Sequence, residues 1–160
     1  MPSMAGPEVS ATPRPWARVL VLDDEAPVRD LWVEALHEAG YDAMGVARGD
    51  DAIGRRAEFA PDLILLDMMM PHMDGFEFLA RLRARSPAAH PPLVIVSALG
   101  ESLGHALDAQ GSRILGIAGI LMKPVDVAVL LGAVRRIIGP GARHVRDDRH
   151  GQSFGERPFR

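Results

Sequence analysis

Four short apolar runs constrain this chain more than any other feature, because each ends in a residue able to bind or react. Val19-Leu20-Val21-Leu22 ends in Asp23-Asp24, Leu63-Ile64-Leu65-Leu66 in Asp67, Leu93-Val94-Ile95-Val96 in Ser97, and a run closing at Leu121-Met122 in Lys123. Apolar runs without polar alternation read as strands buried on both faces. The spacing predicts strands over 18–22, 41–47, 62–66, 93–96 and 117–122. Between them it predicts helices over 26–39, 50–58, 74–85, 101–110 and 126–138. The first helix turns Val28, Leu31, Trp32, Ala35 and Leu36 inward, the third Phe76, Leu79 and Leu82 with Phe78, and the last Val127, Leu130, Leu131, Val134 and Ile138. Gly40 closes the first helix, Asp50 N-caps the second, Asp74-Gly75 opens the third and Gly139-Pro140-Gly141 stops the last. Alternating strands and helices with right-handed crossovers give an α/β fold: a doubly wound, five-stranded parallel sheet with helices on both faces. Ligands bind such sheets at the carboxyl ends of the strands, near the point where strand order reverses. All four terminating groups belong to that edge.

The bulk properties fit one soluble domain: 160 residues, 48% hydrophobic, 24% charged, net charge −3. A weakly acidic balance gives no support for a nucleic-acid or membrane surface. The absence of cysteine excludes disulfides and thiolate metal sites. Residues 1–15 carry four prolines and read as a flexible lead-in, and 139–160 as a flexible polar tail, leaving 16–138 as the folded unit. The longest apolar stretch, 114–122, is well short of the ~20 residues that span a bilayer. A cytoplasmic location is expected.

Each terminating residue has a chemical and a plain reading. Adjacent Asp23 and Asp24 repel each other, a strain that a hard divalent cation relieves; either could equally cap the helix that follows. Asp67 can attack phosphorus through a carboxylate oxygen, or simply start a loop. The Ser97 hydroxyl can donate to a phosphoryl oxygen, or cap a turn. Lys123, the only lysine among 18 basic residues, can neutralise a phosphoryl oxygen, or be a solvated surface charge.

Taken together these pieces carry a resemblance. Val21-Leu22-Asp23-Asp24-Glu25, Leu65-Leu66-Asp67-Met68-Met69-Met70-Pro71-His72-Met73-Asp74-Gly75, Val96-Ser97-Ala98 and Met122-Lys123-Pro124 stand in the order and close to the spacing of the receiver domain of bacterial two-component response regulators. The chain resembles that family over roughly 17–138, which implies the (βα)5 flavodoxin-like receiver fold. The resemblance further implies that Asp67 accepts a phosphoryl group from a sensor histidine kinase or a histidine phosphotransfer protein. It implies that Asp23, Asp24, Asp67 and the Met69 carbonyl hold Mg²⁺, and that Lys123 and Ser97 hold phosphoryl oxygens. Ser97 and residue 120 would form the switch that presents a surface to a downstream effector protein. The resemblance also implies a domain that catalyses its own modification rather than a turnover enzyme.

The sequence departs from the family pattern in three ways. Ile120 stands where the family carries Tyr or Phe, so the usual aromatic switch is in doubt. The stretch from Ser97 to Lys123 is longer than usual, with 110–116 as an extended helix or loop. No output domain is read after Ile138, which suggests a stand-alone receiver without DNA binding. A phosphorelay intermediate is the close alternative. An aspartyl-phosphate hydrolase would need an acid two residues after its nucleophile, and that residue is Met69.

Overall fold

The computed structural model describes residues 16–71, 73–85, 90–99, 102, 111, 113 and 115–141. Its elements are β1 (Arg18–Leu22), α1 (Ala26–Glu38), β2 (Asp42–Val46), α2 (Gly49–Phe59), β3 (Leu63–Leu66), α3 (Gly75–Arg85), β4 (Leu93–Ser97), β5 (Ile117–Met122) and α4 (Val127–Ile138). The five strands form one sheet in the order β2-β1-β3-β4-β5, and every pairing is parallel. The chain builds β2 on one side of β1 and then crosses to add β3 on the other. The reversal therefore falls between β1 and β3, the place where such sheets open a crevice at their carboxyl edge.

Apolar residues on successive strand positions face opposite sides. Leu20, Leu22, Ile64, Leu66, Leu93 and Ile95 pack with Phe59, Phe78, Leu79 and Leu82 beneath α2 and α3. Val19, Val21, Leu63, Leu65, Val94 and Val96 pack with Trp32, Leu36, Leu130 and Val134 beneath α1 and α4. The three inner strands are thus buried on both faces, as their unbroken apolar runs require. The edge strand β5 contains no fully buried residue and carries an irregularity where the partner of β4 jumps from Ile117 to Gly119.

Helix ends follow local chemistry. Gly40 takes a positive φ of 92° after α1, as its sequence position predicts. Asp74 Oδ1 accepts the Glu77 N–H at 2.7 Å and so caps α3. Three sequence expectations are corrected. Asp50 is not the N-cap of α2: that residue is Arg48, without a side-chain cap, and Asp50 in the first turn pairs with Arg81 at 2.9 Å. Leu31 and Phe76 face outward, 51% and 50% exposed. In each case an apolar neighbour one or two positions along, Trp32 or Phe78, takes the inward place, because a helix can turn only one arc to the sheet. The helix expected over 101–110 lies almost entirely outside the described residues, as do 1–15, His72 and the tail from 142; of the stretch 110–116, residues 111, 113 and 115 are helical. Among the described residues no helix is long and apolar enough to cross a membrane.

Candidate functional site

Asp23, Asp67 and Lys123 are each set by a backbone bond that extends the sheet ladder one step past its strand. The Asp23 N–H donates to Val46 O, the Asp67 N–H to Leu22 O, and the Lys123 N–H to Ser97 O, at 3.2, 2.9 and 3.0 Å. The backbone of the residues following β1, β3 and β5 is therefore tied into the sheet ladder. The peptide bond from Lys123 to Pro124 is cis.

The side chains converge at the β1/β3 reversal. One carboxylate oxygen from each of Asp23, Asp24 and Asp67 lies within 4.8 Å of the others. Asp23 is fully buried and Asp67 is 2% exposed, while Asp24 keeps access to solvent. Lys123 Nζ donates to Asp23 Oδ2 at 2.9 Å and to Asp67 Oδ2 at 3.3 Å, with Glu25 Oε1 at 3.9 Å. Residues separated by 100 and 56 positions in sequence thus share one ammonium. The remaining oxygens are also engaged. Asp67 Oδ1 accepts the Met69 N–H at 3.0 Å, and Asp23 Oδ1 accepts the Glu25 N–H at 2.9 Å. Asp23 is not the N-cap of α1: that residue is Glu25, whose side chain makes no capping bond, and what Asp23 reaches there is only the Glu25 backbone N–H.

The electrostatics are those of an acidic crevice with one ammonium bonded to its carboxylates. Burial pushes the Asp67 carboxyl above its ordinary range; the Met69 N–H and the Lys123 ammonium pull it down, and Asp23 adds to the rise. Burial acts to lower the Lys123 ammonium, but the hydrogen bond and charge of Asp23, joined by Asp67, outweigh it and hold the group above its usual value. Two buried carboxylates and a third beside them against a single ammonium leave uncompensated negative charge, which is costly away from water. The donor set is all oxygen, the chemistry that suits a hard divalent cation such as Mg²⁺, which binds carboxylates and keeps several waters.

Ser97, fully buried at the end of β4, has its Oγ 3.3 Å from the Leu99 N–H that donates to it. Its register partner on β5 is Met122, one residue before Lys123. Ile120 is partly buried, pairs in register with Ile95 and packs on the α2/α3 side of the core. Met69 and Leu99, two residues beyond Asp67 and Ser97, expose 56% and 44% of their surface.

Two contributors escape sequence reasoning. Arg29 Nη1 donates to the Asp23 carbonyl oxygen at 2.9 Å, and its stem lies over Gly45, where an added Cβ would come 2.9 Å from Arg29 Cγ. A glycine inside a strand is the signal that could have revealed this close approach. The second is Trp32, whose ring centroid lies 5.6 Å from Lys123 Nζ. Its helical spacing marks it only as a core residue.

Comparison with known proteins follows the same lines. The sequence profile of the response regulator receiver domain matches residues 19–135. The chain is 31% identical over 142 residues to the DNA-binding dual master transcriptional regulator RpaA of Synechocystis, a match covering 89% of this chain and 57% of that protein. It is 37% identical over 126 residues to response regulator PleD of Caulobacter vibrioides, covering 76% of this chain and 26% of PleD. The chain therefore spans between a quarter and three fifths of these two relatives. Among solved structures, chemotaxis protein CheY4 of Vibrio cholerae superposes with a TM-score of 0.65 at 29% identity, over 76% of this chain and 98% of CheY4.

Proposed function

Because the chain belongs to the response regulator receiver domain family, we propose that Asp67 is its phosphoacceptor and that a phosphohistidine on a sensor histidine kinase or a histidine phosphotransfer protein is the donor. The observation that carries this reading is the single ammonium of Lys123 bonded to both Asp23 and Asp67 inside an acidic cluster at the sheet's reversal point. In the transfer, an Asp67 carboxylate oxygen attacks phosphorus, the nitrogen–phosphorus bond of the donor breaks, and the leaving imidazole takes a proton from solvent. The product is an acyl phosphate.

The protein's part is placement and charge. The Met69 N–H fixes Asp67 Oδ1 and so sets the rotamer of the nucleophile. Lys123 lies 3.3 Å from the other oxygen, where it can neutralise an equatorial phosphoryl oxygen as charge develops. Ser97 exchanges its turn bond for a bond to the phosphoryl group. Asp23, Asp24, Asp67 and the Met69 carbonyl would hold Mg²⁺, which supplies positive charge to the transferring group. Modification then shifts the population of a surface around Ser97, Ile120 and β5 that an effector protein reads, in the cytoplasm where such kinases present their phosphohistidine.

The test is intact mass after incubation with acetyl phosphate and Mg²⁺. Wild type gains one phosphoryl group, the gain is lost with chelator, and Asp67→Ala gains none. Equal gain by Asp67→Ala refutes the assignment.

A further inference from the structure

Lys123 stands at the end of the least buried strand, yet its ammonium must occupy one position to meet a phosphoryl oxygen. Lysine is a poor group for such duty: its four-carbon stem is flexible, and fixing it costs rotamer entropy. The bonds that hold it run to Asp23 and Asp67, with Glu25 further off at 3.9 Å. Asp23 and Asp67 are also carboxylates of the acidic cluster. A cation or phosphoryl group arriving there competes for the same oxygens, so the ionic restraint on Lys123 weakens when placement matters most.

One neighbour is exempt from that competition. Trp32 projects from the middle of α1 into the core beneath α1 and α4, is 3% exposed, and has its ring centroid 5.6 Å from Lys123 Nζ. An ammonium over an indole face is attracted by the ring's quadrupole, most strongly where water is excluded. The ring is neutral and cannot bind the cation as a ligand, so its hold on Lys123 persists whatever the carboxylates bind. A buried ring on a packed helix is also a firmer support than anything β5 supplies, since no residue of that strand is fully buried.

We propose that Trp32 is a positioning residue for Lys123, its indole face keeping the ammonium aimed at the phosphoacceptor when the carboxylates are engaged elsewhere. The catalytic half of this inference rests on the phosphoacceptor reading of Asp67; the contact itself does not.

Because Lys123 is the only lysine, ε-¹³C-lysine labelling gives a single resonance for the group in question. The Lys123 ε-methylene of wild type is expected upfield of free lysine by the ring current of Trp32, less so in Trp32→Phe, and not at all in Trp32→Leu. It stays upfield when Mg²⁺ and beryllofluoride fill the site. An unshifted resonance in wild type, or one that returns to the free-lysine position on filling the site, overturns the proposal.

Function is read with acetyl phosphate and Mg²⁺ at saturating donor. Trp32→Leu is expected to slow phosphorylation about tenfold, the factor that ~1.4 kcal/mol of lost stabilisation gives. Trp32→Phe, which keeps an aromatic face, is expected to stay within about threefold of wild type. Should Trp32→Leu unfold, 5,7-difluorotryptophan in a Trp16→Phe background keeps the shape and weakens only the quadrupole; it should slow the reaction by about threefold. A rate indifferent to fluorination means that Trp32 is packing alone, and overturns the proposal. If wild type takes up no phosphoryl group, the function proposed for Asp67 fails, and the resonance by itself supports or overturns the placement of Lys123.

Discussion

The inner strands and the edge strand contribute unlike halves of one site. On β1, β3 and β4 almost every residue is buried, and these strands end in Asp23, Asp67 and Ser97, each at most 2% exposed. On β5 nothing is fully buried, and it ends in Lys123 with a side chain 17% exposed. The acidic half is therefore immobilised by the core, while the cationic half depends on contacts made across the crevice. This division suits a switch. Burying carboxylates together is unfavourable, and only a well-packed scaffold tolerates it; an edge strand with less packing can change arrangement at small cost.

The contrast is tested most strongly by truncation at one register pair. Ile95 on β4 and Ile120 on β5 are partners in the ladder. Ile95→Ala is expected to destabilise the protein by about 4 kcal/mol and Ile120→Ala by about 1 kcal/mol, measured by urea unfolding. Equal costs would mean that β5 is as structural as the inner strands.

Next in size is the loss of the cation. Lys123→Ala is expected to slow phosphorylation from acetyl phosphate by roughly a hundredfold, as removal of a preorganised charge does elsewhere, with the circular-dichroism spectrum unchanged. A rate within a few-fold of wild type would place the neutralising charge elsewhere.

The acidic half carries a pH signature. Without bound cation, Asp67→Asn is expected to stabilise the fold by about 1 kcal/mol at neutral pH, because it removes one of the crowded charges. Burial raises the Asp67 carboxyl above its ordinary 3.8. The folded state thus binds its proton more tightly than the unfolded chain, and the associated stability is full below about 3.8 and lost as pH rises through the raised folded value. The advantage of Asn should be absent at low pH and grow toward neutrality. A pH-independent difference would argue against a strained carboxylate. Added Mg²⁺ should stabilise wild type and not the Asn variant.

The smallest effect concerns the loops. Met69 and Leu99, two residues beyond Asp67 and Ser97, leave apolar surface exposed. Met69→Glu is expected to shorten the acyl-phosphate lifetime by roughly threefold by admitting and orienting water, read from phosphate release. An unchanged lifetime removes Met69 from that role.

The three inner strands were legible because their unbroken apolar runs are satisfied by burial on both faces, whereas the apolar run of β5 lies at the sheet edge with no residue fully buried. Their terminating residues were legible as a set because parallel strands bring every carboxyl end to one edge. The inward faces of α1 and α3 were half legible: Trp32, Phe78, Leu79 and Leu82 face the core, while Leu31 and Phe76 do not. Periodicity bounds an arc, but the neighbouring layer decides where on the helix that arc lies. The α2 cap was misread for a related reason: Asp50 found a partner in Arg81, 31 residues away, which no local pattern announces.

By itself, the sequence determined the α/β alternation, the parallel sheet and the gathering of Asp23, Asp67, Ser97 and Lys123 at one edge. Those follow from short-range rules of periodicity and from the handedness of crossovers. Only the tertiary structure decided that Lys123 bridges Asp23 and Asp67, that Arg29 crosses Gly45 to reach the Asp23 carbonyl, and that Trp32 lies beside the one ammonium. These contacts join residues whose separation in sequence carries no periodic signal. They are fixed by where helices come to rest on the sheet, a property of packing in three dimensions that no window of sequence contains.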